Sequence, residues 1–103
     1  MIKQVQLQLD ILSRHFMSHP VYRIYVNNDL IVERTYGWAA EHFIREIMVV
    51  NVLPGKHNLR VENPGSNFLA NFELRNFRAG SHAGDIVGNQ CVFTVDESFP
   101  AAA

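Results

Sequence analysis

Apolar and polar residues alternate almost from the start of the chain. Val5, Leu7, Leu9 and Ile11 fall on one parity; Gln4, Gln6, Gln8 and Asp10 fall on the other. A period of two places the sets on opposite faces of a half-buried strand. The outward glutamines can solvate that face or pair with a neighbour across an interface. Residues 12–20 break the alternation. Pro20 holds His19 in extended geometry, so a loop is predicted here, with room for one short helical turn.

Residues 21–36 form a hairpin. Val-Tyr-Arg-Ile-Tyr-Val runs into Asn27-Asn28-Asp29 and returns as Leu-Ile-Val-Glu-Arg-Thr-Tyr. A two-residue loop would set Arg23 against Val32. A three-residue loop sets Val26 against Leu30, Ile24 against Val32 and Arg23 against Glu33. The second register pairs like with like on one face and opposite charges on the other, worth roughly 0.2–1 kcal/mol per pair. It is the register predicted. Asn and Asp tolerate the left-handed backbone that such a loop needs.

Residues 41–53 read as a long strand, Met48, Val50 and Val52 on one face, Ile47 and Val49 on the other. A helix over 39–48 competes, but β-branched residues crowd its second half. Two apolar faces predict a central strand covered on both sides, or a protein contact on the outer side. Leu53-Pro54-Gly55-Lys56 has Pro and Gly where a type II turn wants them, so residues 58–63 should return with Leu59 and Val61 facing Val50 and Met48. Pro64-Gly65-Ser66-Asn67 is a further turn. Phe68, Ala70, Phe72 and Leu74 share a face, and Phe77 falls out of phase, which predicts a bulge near Arg75-Asn76. Residues 79–90 hold Gly80, Gly84 and Gly88 and read as a flexible loop. Cys91, Phe93 and Val95 give a last strand. The pattern predicts an all-β antiparallel sandwich of about seven to eight strands over residues 1–96, with 97–103 as a tail.

Composition narrows the function classes. The 103 residues are 48% hydrophobic and 18% charged, with net charge −1. That excludes intrinsic disorder and leaves no strong field toward nucleic acid or an anionic membrane. Cys91 is the single cysteine, which excludes an internal disulfide framework and a multi-cysteine zinc site. No apolar run reaches the length of a membrane helix. The N-terminal residues lack the apolar core of a secretion signal, so synthesis in the cytoplasm without a signal peptide is expected.

The run YRIYVNNDLIVERTYGW, then LPGKHNLRVEN, then FELRNFR resembles the strand succession of small jelly-roll carbohydrate-binding modules, over roughly residues 20–79. The resemblance implies a jelly-roll-like sandwich that binds polysaccharide through aromatic rings, here Tyr36 and Trp38. That family's calcium-binding acidic loops have no clear counterpart. Asp85 and Asp96 are the only acidic residues near the later loops, and they stand apart, so no cofactor is expected and calcium is unsupported. As a Met-initiated β-sandwich of this size without an export signal, the chain is also similar in style to small structural proteins of tailed bacteriophages, cyanophages in particular. That resemblance implies a virion component.

Each candidate site has a plainer reading beside it. His15 and His19 have metal-ligand spacing for a helix, with His42 as a third ligand, but Pro20 favours loop histidines bonded locally. Ser81, His82 and Asp85 have the residue types of nucleophilic catalysis, yet one glycine-rich loop would not hold them rigidly. Cys91 reads as a small buried hydrophobe. Tyr36 and Trp38, beside His42, suit the core, a protein interface or a sugar platform. Arg23, Arg60, Arg75 and Arg78 could form a basic stripe, but Glu33, Glu62 and Glu73 favour ion pairs. Phe99 and the three terminal alanines are predicted outside the sandwich, as a frayed end or an arm docking on a neighbouring subunit.

The expectation is a non-enzymatic structural or assembly protein, of the kind that decorates or cements a phage capsid. Its interface candidates are Tyr36, Trp38, His42, Ile47, Val49 and Phe99. The alternative is a carbohydrate-binding module using Tyr36 and Trp38. Expected partners are protein subunits or a second copy, with polysaccharide as the alternative; no nucleic acid, membrane or metal is expected.

Overall fold

The computed structural model describes residues 1–14, 21–35, 43–63 and 71–102. They form nine strands: β1 (Lys3–Arg14), β2 (Val21–Val26), β3 (Asp29–Thr35), β4 (Phe43–Val52), β5 (Gly55–Glu62), β6 (Asn71–Ala79), β7 (His82–Ala83), β8 (Asp85–Val87) and β9 (Gln90–Val95). They build two antiparallel sheets, in the orders β4-β1-β6-β7 and β3-β2-β5-β9-β8. The protein is an antiparallel β-sandwich, as the alternation predicts. The rival helix over 39–48 is a strand in its described part, residues 43–48.

β1 is the spine of the first sheet. Its Val5, Leu7, Leu9 and Ile11 are fully buried. From the facing sheet come Tyr22, Ile24, Leu59, Val61, Cys91, Phe93 and Val95. Phe77 and Phe93 meet across the sheets, ring centres 5.8 Å apart. The bulge expected near Arg75-Asn76 is present. Asp10 pairs with Arg75 and Gln8 with Arg78, which leaves Leu9 opposite both Asn76 and Phe77. Asn76 takes φ 54°. The extra residue turns Leu74 and Phe77 to the same, inward side.

Four expectations are corrected. The hairpin keeps Arg23 opposite Glu33 and Ile24 opposite Val32, but Val26 pairs with Asp29 and Tyr25 with Leu30. The loop is therefore two residues long, with Asn27 at φ 57°, and Ile31 is the extra residue of a bulge. The tight turn and the bulge together give the register that a three-residue loop would have given. Next, β4 and β5 are not hairpin partners. β4 runs beside β1 from Lys3–Val52 to Leu12–Phe43, while β5 is held on both sides by β2 and β9. Gly55, at φ 137°, carries the chain from one sheet to the other. Leu59 and Val61 share the core with Met48 and Val50 but approach from the opposite sheet.

Residues 79–90 are not one flexible loop. β7 pairs with β6, and β8 with β9, which takes the strand count to nine. Finally, the tail does not leave the sandwich. Phe99 is 7% exposed and belongs to the core. Gln4 N–H donates to the Pro100 carbonyl (2.8 Å) and Ala102 N–H to the Ile2 carbonyl (3.0 Å). Lys3, itself buried, ties Glu97 through the ammonium (3.3 Å to Oε2). Phe99 reads as tail in the sequence because no periodic run leads into it. The chain brings it back through a turn at Asp96, whose carboxylate accepts from the Ser98 N–H at 2.9 Å.

The β6 bulge is pinned to β1 by a carboxylate. Asp10 accepts from Arg45 Nε at 3.0 Å and from Asn76 Nδ2 at 2.9 Å. Burial pushes its pKa up, but the bonds from Arg45 and Asn76 outweigh that and hold it below 3.8. A folded pKa below the unfolded one adds stability above about pH 4 and loses it as pH falls through the folded value. Asp10→Asn is expected to cost about 1–2 kcal/mol near neutral pH. In denaturant titrations the gap between wild type and variant should close as the pH falls through the lowered folded pKa of Asp10. A gap independent of pH would contradict this role.

Candidate functional site

β4 is not the central strand that two apolar faces suggested. Among the described residues it is an edge strand, and its outer face is exposed. The inward parity carries Glu46, Met48 and Val50, all buried; the outward parity carries Ile47 and Val49, each 55% exposed. Phe43 and Leu53 extend the exposed apolar line at either end. On β1 the neighbours of Asn51, Val49 and Ile47 are Gln4, Gln6 and Gln8. The patch is thus bounded by glutamines on one side and by a strand edge on the other. Exposed apolar side chains gathered in one patch mark contact surfaces more often than scattered ones do.

Beneath this face lies a buried polar tie between the sheets. Glu46 accepts from the Tyr22 hydroxyl of β2 at 2.6 Å and from Arg34 Nε of β3 at 2.7 Å. These residues, with Thr35, Ile44, Arg45 and Ile47, line a cleft of about 510 Å³ between β3 and β4. Sequence reading missed Glu46. Its signal is parity: it stands in phase with Met48 and Val50. One carboxylate oxygen, Oε1, is shared by a phenol and a guanidinium, so Glu46 acts as a clasp between the two edge strands.

A second cleft, of about 540 Å³, lies at the opposite flank and includes Lys56, His82, Asp85 and Asp96. The structure brings His82 and Asp85 to this flank, but the His82 ring packs on Phe99, centres 5.7 Å apart. Asp96 is held below its usual pKa by bonds from Ser98. The arginines do not form a stripe. Arg23 and Arg60 belong to one sheet, Arg75 and Arg78 to the other. Arg23–Glu33, Arg60–Glu62 and Arg75–Glu73 are ion pairs of 3.2–3.3 Å. Tyr36, Trp38, His42, His15, His19 and the turn at 64–67 lie outside the described residues. Among the described residues no group of His, Cys, Asp and Glu could hold a metal ion, and no helix is long and apolar enough to cross a membrane.

No family model, curated protein or solved structure matches this chain. The functional reading therefore rests on the chemistry of its surfaces.

Cys91 is fully buried on β9, with burial pushing its thiol up to about 12. The thiolate is the reactive form, so alkylation by a maleimide is expected only as fast as the protein unfolds. Labelling that outruns global unfolding, followed by mass spectrometry, would show an accessible thiol instead.

Proposed function

We propose that this chain is a non-enzymatic assembly protein that joins or decorates a larger particle, binding a neighbouring protein subunit through the outer side of β4. The observation that carries this reading is the exposed pair Ile47 and Val49 beside a strand edge that no described strand pairs. An open edge offers backbone donors and acceptors, and an apolar row beside it offers burial; together these are what strand-addition interfaces use. The ionic groups nearest the face support the same reading, because Asp10 and Glu46 are committed to structural bonds. The particle proposed is a virion, on the style of the sequence alone.

Density-gradient sedimentation of native particles with added tagged protein tests this. Wild type is expected in the particle band, and the double variant Ile47→Lys/Val49→Lys at the top, since each lysine places a charge in the contact. Both side chains point to solvent, so the variant's melting temperature should stay within a few degrees of wild type. Wild type at the top of the gradient, or a variant that binds equally well, would contradict the proposal.

A further inference from the structure

Among the described residues the sandwich has four edge strands, and three of them are unsuited to pairing. β7 has two residues, β8 has three, and β3 carries the Ile31 bulge. Short and bulged edges resist strand addition. β4 differs. It has ten residues, and its register with β1 runs unbroken from Phe43 to Val52. Such a straight edge is a template for another strand.

The side chains along that edge say which strand. Read outward from Met48, the outward-facing positions are Ile47, Arg45 and Phe43 in one direction, and Val49, Asn51 and Leu53 in the other. Each direction reads apolar, polar, apolar. Two copies of β4 laid antiparallel with Met48 opposite Met48 therefore match Ile47 with Val49, Arg45 with Asn51, and Phe43 with Leu53. Every outward pair is apolar with apolar or polar with polar, and no charge faces a like charge. Moving the centre to Ile47 sets Arg45 against Val49 and Phe43 against Asn51. Moving it to Val49 sets Ile47 against Asn51 and Arg45 against Leu53. Centring on Glu46 sets two carboxylates face to face. Odd registers turn inward side chains against outward ones. This register matches every outward pair, although it sets Glu46 opposite Val50 on the inward side, and it is two-fold symmetric, as an isologous dimer requires.

The size is adequate. Ten residues at about 3.3 Å each give an edge about 33 Å long. That is long enough for a continuous ladder between two copies.

We infer that the partner of the β4 edge is a second copy of this chain, paired antiparallel about Met48 so that the two four-stranded sheets become one sheet of eight. This rests on the proposed use of β4 as an assembly surface and names its partner. The dimer would be the unit that enters the particle.

Sedimentation velocity on the full chain, over a hundredfold range of concentration, reads the association directly. Wild type is expected at twice the chain mass at the upper end. Ile47→Lys enters the interface twice by symmetry, so dimerisation should weaken roughly two- to thirtyfold, with the circular dichroism spectrum and melting temperature of the fold retained. Register is read by oxidative cross-linking. A mixture of Ile47→Cys and Val49→Cys chains should give several-fold more disulfide dimer than either alone, because only the mixture puts two thiols directly opposite. The buried Cys91 does not compete. A wild-type chain that stays monomeric throughout, a dimer indifferent to Ile47→Lys, or equal cross-linking from the separate variants would overturn the inference. A monomeric chain that still enters the particle band would leave the assembly function standing with a different partner.

Discussion

Ending the chain at Asp96 should lower its melting temperature by roughly 12 °C or more, taking about 4–8 °C per kcal/mol for a domain of this size. The loss has identifiable parts. Phe99 is buried against Gly80, whose position leaves only 3.1 Å between a built Cβ and the ring, and against His82. Removing a buried phenylalanine side chain typically costs about 3–5 kcal/mol, and the low end applies at this peripheral place in the core. The truncation also strips the partners of the Gln4 N–H and the Ile2 carbonyl. It leaves the buried Lys3 ammonium without Glu97. Phe99→Ala in the full chain separates burial from pairing and should account for most of the shift. A truncated chain that melts with wild type would show that the tail does not belong to the core.

The second large effect is expected from one methyl group. A Cβ added at Gly84 would stand 2.5 Å from two atoms of the Phe77 ring and 2.9 Å from the Val92 carbonyl oxygen. Phe77 cannot swing away, since it is buried against Phe93. The backbone cannot easily retreat, since Gly84 N–H donates to the Phe77 carbonyl at 3.2 Å. Overpacking of this kind costs about 1–3 kcal/mol, and the upper end suits a clash on two sides. Gly84→Ala should therefore melt roughly 12 °C or more below wild type. Phe77→Leu shortens the obstructing ring, so in the double variant the alanine should cost less than it does alone. Gly88→Asn is the control. No atom lies within 4 Å of a Cβ there, and asparagine tolerates the φ of 64°. An unchanged melting temperature for Gly84→Ala would contradict the close packing of the β7–β8 crossing.

These two sites also show where sequence reading stops. Local periodicity reported what it controls. The parity of β1, the bulge before Phe77 and the Arg23–Glu33 register follow from alternation and from neighbours on one face. Sheet membership does not. The Pro54-Gly55 turn is compatible with a hairpin or a crossing, and the choice belongs to β1, whose twelve residues occupy the whole of β4. The glycine-rich stretch reads as loop because strands of two and three residues carry no period. Phe99 reads as tail because no periodic run leads into it, and the ties of its neighbours Glu97 and Pro100 to Lys3 and Gln4 span more than ninety residues. For the site, the exposed parity of Ile47 and Val49 was legible, and Glu46 was legible only by trusting parity over charge.

The proposed assembly surface of this protein is the outer side of β4. Amide hydrogen exchange, comparing dilute free protein with the particle-bound form, tests it most directly. Outward amides on an unpaired edge exchange fast, and pairing slows them. New protection is expected to concentrate in residues 43–53, with little change at β7 and β8. Protection centred on the β7–β8 flank, or none in β4, would contradict it.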